Sequence, residues 1–355
     1  MLIYSILTAF LGSFLFGYTT CVIAGAILFL SEQFDLSPLE EGFLVSIILF
    51  GAMIGSAVAG SLTDKLGRRR ALLWTGAVFV AGILLSISSY FEVVLTGRAI
   101  TGIGVGLASA IVPIYLAEIS DEKHRGVVGS MTMVGIALGL FCAYLANHFL
   151  AYSGNWQLMF GLAIIPALGL FGGMFFAIDS PVLNRPHLDE GAIKLWGSSS
   201  RNLVIIGAIL SLAQQLTGIN VVNYYAPQIY QTAGFKSHAL ATNATLGIGF
   251  ITVLSALFAT WLMDKWGRRP LLLCSLAGMS VALGLLSIAY LVNSPSLGLM
   301  ALITLPAYTA FFTIGMGAVL WVYLSEIYPL PIRAKAMSVV VLINWLSNYV
   351  ISLLF

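Results

Sequence analysis

Long apolar runs separated by short polar segments dominate the sequence. A helix rises 1.5 Å per residue, so about 20 apolar residues are enough to cross a bilayer. The runs are of this length, whereas a transmembrane β-barrel would show short alternating segments. The pattern predicts eleven transmembrane helices, at residues 3–29, 43–62, 71–90, 94–116, 127–149, 157–178, 203–229, 244–263, 271–292, 299–324 and 336–355. We therefore expect an all-α membrane protein.

Composition agrees with this pattern and excludes several classes of protein. Hydrophobic residues make up 59% of the 355-residue chain and charged residues 8%, which excludes a soluble domain. Cys21, Cys142 and Cys274 all lie inside apolar runs, so no metal site, cofactor or disulfide is expected. The helices contain no Ser-His-Asp set and no pair of carboxylates, so we do not expect an enzyme. Nor is a nucleic-acid partner expected, because the basic residues follow a membrane topology.

The positive charges are distributed unevenly between the two sides of the predicted bundle. Of the 16 Lys and Arg residues, 14 fall in or beside the loops that follow the second, fourth, sixth, eighth and tenth helices. Lys236 lies on the other side, and Arg98 lies within a helix. The positive-inside rule places those loops and the N-terminus in the cytoplasm. We expect a plasma-membrane protein, in the inner membrane if the source is a bacterium.

An internal repeat divides the chain. Residues 64–69, Asp-Lys-Leu-Gly-Arg-Arg, recur as Asp-Lys-Trp-Gly-Arg-Arg at 264–269, and Tyr-Leu-Ala-Glu-Ile at 115–119 recurs as Tyr-Leu-Ser-Glu-Ile at 323–327. Two parallel repeats are typical of rocking transporters. We predict an N-terminal transmembrane half at 1–178, a cytoplasmic linker at 179–201 and a C-terminal transmembrane half at 202–355.

The seventh apolar run is unusual because it contains several amides. Gln214, Thr217, Asn220 and Tyr224 fall on one helical face, and Gly218 can open the helix so that Gln215 also turns inward. Unpaired polar groups are costly in hydrocarbon, so they face the bundle interior or a wet cavity. Amides beside aromatic rings suit a neutral polyhydroxylated ligand. The alternative is that the amides only join helices together.

These motifs resemble the sugar porter family of the major facilitator superfamily. The resemblance rests on Gln-Gln-x-x-Gly-x-Asn at 214–220 followed by Tyr-Tyr-Ala-Pro at 224–227, and it covers essentially the whole chain. It implies the major facilitator fold, two pseudo-symmetric six-helix halves, and transport of a monosaccharide (a hexose or a pentose) by alternating access. The implied partners are the sugar and the lipid bilayer, and we expect a monomer. The resemblance implies these sugar-binding residues: Gln214, Gln215, Asn220, Tyr224, Trp321, Asn344, Trp345 and Asn348.

The charged loop residues form a second predicted set. Opposite charges at helix ends can link neighbouring helices and separate when the halves rock. By resemblance they form the family's cytoplasmic gate, made of Asp64, Arg68, Arg69, Glu118, Arg125, Asp264, Arg268, Arg269, Glu326 and Arg333.

Arg98 and Thr19 bear on energy coupling. In proton-coupled sugar porters, the arginine that matches Arg98 pairs with an aspartate in the first helix, and this chain has Thr19 at that position. A threonine cannot carry a proton at accessible pH, and no other carboxylate lies within the predicted helices away from their ends. The sequence therefore favours facilitated diffusion, with proton symport as the alternative.

Several positions depart from the family pattern. Met133 and Thr252 stand where the family has a glutamine and an asparagine, and Ala318 replaces a proline. The linker is short, and the sequence ends near the end of the eleventh helix, so we expect the family's twelfth helix to be missing. A non-transporting sugar sensor or an inactive truncated transporter is the alternative from another class.

Overall fold

The computed structural model describes residues 1–121, 125–180, 197–235, 238–329 and 332–354. Its helices are long and apolar enough to cross a membrane eleven times, which confirms the predicted number of spans. The described ranges contain no strand. The interior of the predicted linker, 181–196, lies outside them, so the predicted three-part division stays a prediction.

Fifteen α-helices build the described part of the bundle. In chain order they are α1 (Leu2–Cys21), α2 (Ile23–Phe34), α3 (Pro38–Leu66), α4 (Arg68–Ser86), α5 (Phe91–Ile119), α6 (Arg125–Ala151), α7 (Trp156–Gly161), α8 (Ile164–Gly173), α9 (Ser198–Leu216), α10 (Ile219–Thr232), α11 (His238–Trp266), α12 (Arg268–Leu291), α13 (Leu297–Phe312), α14 (Ala318–Ile327) and α15 (Arg333–Leu354). A π-helical turn, Thr313–Gly317, joins α13 to α14.

Many helices extend beyond the predicted bounds because charged and capping residues continue the helix outside the hydrocarbon. α3 begins before its predicted apolar run, at Pro38, after a capping box formed by Ser37 and Glu40. α4 and α12 begin directly at Arg68 and Arg268. Apolar length therefore marks the part of a helix that lipid requires and not the whole helix.

Four of the predicted spans are interrupted. An opening of the seventh span at Gly218 was expected, whereas the other three spans were predicted as continuous helices, and for these the prediction was wrong in detail. The first is broken at Val22, the sixth between Gly161 and Ile164, the seventh around Gly218, and the tenth at the π-helical turn. Hydropathy cannot detect the three unexpected breaks, because the residues around them are mostly apolar. Two of the breaks, at Gly218 and the π-helical turn, lie beside a cavity in the interior of the bundle, which we call the central cavity.

Glycines allow close contact between α3 and α5. A Cβ added at Gly102 would lie 2.1 Å from the carbonyl oxygen of Ile48, and one at Gly106 would lie 2.1 Å from that of Ala52. Gly51 and Gly55 on α3 are equally crowded by α5. Gly102 and Gly106 therefore form a small-residue contact surface between the two helices.

The N-terminal helices pack against the C-terminal ones along two lines. α3 packs along α15, and α6 packs along α11. Where α3 meets α15, the Gly60 N–H donates to Ser338 Oγ at 2.7 Å. Nearby, Lys335 Nζ lies 3.8 Å from Asp64 Oδ2. We call this end of the bundle, which also carries Arg68 and Arg268, the basic end.

Candidate substrate-binding site

The break in the seventh span places its amides around a cavity in the bundle. Gly218 has φ 78° and ψ 14°, a left-handed conformation that glycine adopts without strain. The Tyr308 hydroxyl donates to the Thr217 carbonyl at 2.6 Å, so a carbonyl beside the break is satisfied. Gln214 and Gln215, in the last turn of α9, are 3% and 5% exposed and line the same cavity. The opening expected at Gly218 is present in the structure.

Four amide side chains form one connected hydrogen-bond network. Gln215 Nε2 donates to Asn344 Oδ1 at 2.9 Å, and Asn344 Nδ2 donates to Gln214 Oε1 at 2.8 Å. Asn220 Nδ2 donates to Gln215 Oε1 at 2.8 Å. The network links α9, α10 and α15, so the amides are held in fixed positions before any ligand arrives.

The π-helical turn supplies a backbone partner to this network. Gln214 Nε2 donates to the Met316 carbonyl at 2.9 Å, within the Thr313–Gly317 turn. The Met316 N–H in turn donates to Ser275 Oγ at 3.2 Å. π-Helical turns often occur at functional sites, since they disturb the regular pairing of backbone groups. Here the turn connects the tenth span to the amides of the seventh.

The cavity has a volume of about 70 Å³ and combines amides with aromatic rings. Of the predicted sugar-binding residues, those that line it are Gln214, Gln215, Asn220, Trp321, Asn344 and Trp345. Tyr224 and Asn348 do not line it. They contact each other, with Asn348 Nδ2 donating to the Tyr224 hydroxyl at 3.4 Å.

Aromatic side chains cover one side of the cavity. The Phe16 ring lies 5.2 Å from that of Trp345 and 6.5 Å from that of Trp321, measured between ring centroids. Trp345 Nε1 donates to Ser109 Oγ at 3.1 Å, which holds the indole in place across the interface with α5. Ring faces and edges of this kind can pack on the C–H surface of a sugar.

Sequence reasoning missed Asn223 and Phe16 as cavity residues. Asn223 Oδ1 is buried and has no hydrogen-bond partner among the described residues, and this side chain lines the cavity. The sequence did contain a signal for Asn223: it lies three residues after Asn220, so both amides can lie on one side of the same helix. Met133 and Thr252, which replace amides of the family pattern, also line the cavity. The substitutions therefore change the cavity itself.

Arg98 is buried without a carboxylate partner among the described residues. Its side chain is 2% exposed. Nε donates to the Leu44 carbonyl at 3.2 Å, and Nη1 donates to the Thr19 carbonyl at 3.5 Å. The guanidinium carbon also lies 5.5 Å from the centroid of the Phe160 ring. Thr19 is thus beside Arg98, and it offers a backbone carbonyl where the resemblance implies a carboxylate in proton-coupled sugar porters.

The predicted gate residues form several separate contacts in place of one network. Arg68 Nε lies 3.0 Å from Glu118 Oε2, and Arg268 Nη2 lies 3.0 Å from Glu326 Oε1. The pairs occupy matching positions in the two repeats. Glu118 also accepts a hydrogen bond from the Ser180 hydroxyl. Each of these two pairs joins helices within one predicted half.

The remaining gate residues have other surroundings. Arg69 Nε donates to Asp179 Oδ1 at 2.8 Å, and Arg333 Nε donates to the Tyr328 carbonyl at 3.2 Å. Asp64 is paired with Lys335, a residue that the motif comparison did not include. Arg269 is exposed. The side chains of Arg125 and Asp264 lie outside the described part of the chain.

A second, larger cavity is lined by residues near the junction of α2 and α3, the end of α6 and α10. Its volume is about 400 Å³, and it is lined in part by Phe29, Glu32, Glu41, Asn147, His148, Tyr152 and Gln228. These residues belong to loops and helix ends on the side opposite the basic end. Among the described residues, no group of three or more His, Cys, Asp or Glu side chains is placed to hold a metal ion.

A helical membrane bundle with broken helices around a buried polar cavity is the architecture of a secondary transporter. Residues 5–183 and 187–355 match the family model described as "Sugar (and other) transporter". The chain belongs to this family, the sugar porters of the major facilitator superfamily. It is an integral membrane protein and not an enzyme.

Individual relatives show how close the similarity is. A D-xylose transporter of Levilactobacillus brevis is 36% identical, over 97% of this chain and 84% of the relative. The galactose-proton symporter of Escherichia coli K12 is 33% identical, over 98% of this chain and 83% of the relative. Among solved structures, the xylose transporter XylE from E. coli, in a partially occluded inward open conformation, has a TM-score of 0.85 and 31% identity, covering 100% of this chain and 90% of that one.

Proposed function

We propose that this protein moves a monosaccharide across the membrane by facilitated diffusion, binding it in the central cavity. The observation that carries the proposal is the network of Gln214, Gln215, Asn220 and Asn344 beside Trp321 and Trp345. Each amide both donates and accepts hydrogen bonds, as a sugar hydroxyl does. The site holds no charge among its described lining residues, which suits a neutral ligand.

The substrate class is a pentose or a hexose. Relatives are named as transporters of D-xylose, galactose and glucose, and the cavity chemistry fits all three sugars. Met133 and Thr252 give this cavity fewer hydrogen-bonding groups than the family pattern has. A smaller or less hydroxylated monosaccharide therefore suits it best, and D-xylose is the first sugar to test.

Facilitation rests on the surroundings of Arg98. A proton-coupled site needs a group that changes its protonation during the cycle. The Arg98 side chain donates to two carbonyls and lies beside a phenyl ring, and among the described residues it forms no ion pair with a carboxylate. The Thr19 hydroxyl donates a hydrogen bond to the Leu15 carbonyl at 2.7 Å, and a hydroxyl of this kind does not change its protonation at accessible pH. One relative is named a galactose-proton symporter, so symport remains the competing mechanism.

Uptake into proteoliposomes separates these mechanisms. The purified protein is reconstituted, and uptake of radiolabelled D-xylose, D-galactose and D-glucose is followed with and without an inward proton gradient. We expect the sugar concentration inside the vesicles to rise to the external concentration and no further, both with and without the gradient. Accumulation above the external concentration, abolished by a protonophore, would establish symport in its place. Binding of sugar without flux or counterflow of any of the three would favour the sensor.

A further inference from the structure

The cavity of about 400 Å³ opposite the basic end has the size of a small-molecule site. Ligand pockets in proteins commonly measure about 300–1,000 Å³. We call it the outer cavity, since the positive-inside rule places the basic end in the cytoplasm. Its described lining does not include any of the predicted sugar-binding residues, so it is distinct from the central cavity.

The two cavities follow one another along the same three parts of the chain, which are the first span, α6 and α10. These parts line the central cavity through Cys21, Leu140 and Asn223, and the outer cavity through Gly25, Asn147 and Gln228. The second set lies four, seven and five residues further along the respective helices. At a rise of 1.5 Å per residue this is about 6–10 Å, so the outer cavity lies between this side of the bundle and the central cavity.

The lining of the outer cavity combines aromatic rings with amides, as that of the central cavity does. Phe29 and Tyr152 supply rings that can pack on the C–H surface of a sugar, and Asn147 and Gln228 supply amides. Asn147 is 2% exposed, and a Cβ added at Gly25 would lie 2.5 Å from its Cγ atom. The missing side chain at Gly25 therefore leaves the space that the Asn147 amide occupies.

The outer cavity differs from the central one in its charge. Glu32 and Glu41 line it together with His148, and its described lining contains no Lys or Arg. The ion pairs of the described residues lie at the basic end and include neither carboxylate. Carboxylates accept strong hydrogen bonds from sugar hydroxyls, whereas they repel a ligand that is itself negatively charged. The lining therefore suits a neutral monosaccharide and disfavours a sugar acid or a sugar phosphate.

We propose that the outer cavity is a second binding site, which a neutral monosaccharide occupies before it enters the central cavity. The ligand class rests on the proposed function, because a sugar that approaches the amides around Gln215 from this side passes this lining. Occupation of the outer cavity does not itself require the network around Gln215. The two sites can therefore be separated by experiment.

Protection of an introduced cysteine against N-ethylmaleimide tests the second site. Ala151→Cys places a thiol in the lining of the outer cavity. Ser153→Cys, at an exposed position outside the described lining, is the matched control. Both changes are made in the wild-type protein and in Gln215→Ala, and mass spectrometry separates their labelling from that of the three native cysteines. We expect saturating D-xylose to slow the labelling of Ala151→Cys severalfold, with the same midpoint in both backgrounds, and to leave that of Ser153→Cys unchanged.

Three results would overturn the proposal. The first is no protection of Ala151→Cys, and the second is equal protection of Ala151→Cys and Ser153→Cys. The third is a midpoint that Gln215→Ala shifts as far as it shifts the sugar affinity of the central cavity, because the protection would then be transmitted from that cavity.

A comparison of two sugars in the same labelling assay tests the role of charge. D-Galacturonate carries a carboxylate at C6 where D-galactose carries a hydroxymethyl group, so we expect it to need about tenfold or more higher concentration for the same protection. The difference should become small in a Glu32→Gln, Glu41→Gln double variant. Equal protection by the two sugars while both carboxylates are present would refute the charge selection. Protein that shows the predicted protection but no sugar flux would support the second site and refute only the proposed transport.

Discussion

At the scale of single residues, burial decides how strongly the loss of one partner of an ion pair destabilises the protein. The Arg68–Glu118 and Arg268–Glu326 pairs occupy equivalent positions in the two repeats. Their side-chain exposures differ, at 8% and 1% for the first pair and 40% and 33% for the second. Removing one partner of a buried pair leaves an uncompensated charge, whereas an exposed pair contributes little. The motif alone made the two pairs look alike, and only the packing distinguishes them.

We therefore expect Glu118→Gln to destabilise the protein much more than Glu326→Gln. The buried change should lower the free energy of unfolding by about 3–5 kcal/mol, and the exposed one by at most about 1 kcal/mol. Melting temperatures of the two purified variants give the comparison, with each serving as the matched control for the other. Equal losses of stability would contradict the role assigned to burial.

At the scale of helices, the sequence predicted the membrane spans well and the interruptions within them poorly. Eleven spans followed from apolar length, because lipid imposes that length directly. The break at Gly218 was expected, since glycine beside clustered amides is a local signal, and the structure shows it. The π-helical turn at Thr313–Gly317 was not expected. It depends on how α13 and α14 pack, with Met316 bonded to Ser275 and Gln214, and no local pattern encodes those partners.

Close packing of α3 and α5 leads to a test at this scale. Gly102→Ala would place a Cβ 2.1 Å from the Ile48 carbonyl oxygen, so the two helices must separate, at a cost of about 1–3 kcal/mol. Gly284→Ala on α12 is the control, because an added Cβ there meets no atom within 4 Å. We expect a lower melting temperature for the first variant and an unchanged or slightly higher one for the second. Similar values for both would refute the close approach.

At the scale of the whole molecule, the predicted halves touch at the basic end, and a cavity of about 400 Å³ lies on the opposite side. The repeat in the sequence predicted two halves and placed their matching charges on one side. It did not predict that Asp64 would pair with Lys335, which lies outside the repeated motif. Of the predicted pocket residues that line the central cavity, Gln214, Gln215 and Asn220 followed from the amide pattern of the seventh span as well as from the family resemblance. Trp321, Asn344 and Trp345 came from the resemblance alone. Phe16 was found only through the three-dimensional arrangement.

Alternating access requires the contact between α3 and α15 at the basic end to open. Ser338 Oγ lies 2.9 Å from a Cβ added at Gly60, so a Gly60→Cys, Ser338→Cys double variant is placed to form a disulfide across it. Oxidation should abolish sugar counterflow, and reduction should restore it. The single-cysteine variants, treated in the same way, control for Cys21, Cys142 and Cys274. Full counterflow in protein shown by mass spectrometry to be crosslinked would contradict a rocking mechanism.

The central claim is that the sugar binds among the amides around Gln215. The most direct measurement is a titration of the purified protein with D-xylose, D-galactose and D-glucose by isothermal calorimetry, comparing wild type, Gln215→Ala and Gln157→Ala. The last variant makes the same chemical change on α7, outside the residues that line the cavity. Gln215→Ala removes the hydrogen bonds that Asn220 Nδ2 and Asn344 Oδ1 make with Gln215, each worth roughly 0.5–1.5 kcal/mol. We expect its sugar affinity to fall about tenfold or more while Gln157→Ala binds as wild type does. Equal affinity in all three proteins would place the sugar site elsewhere.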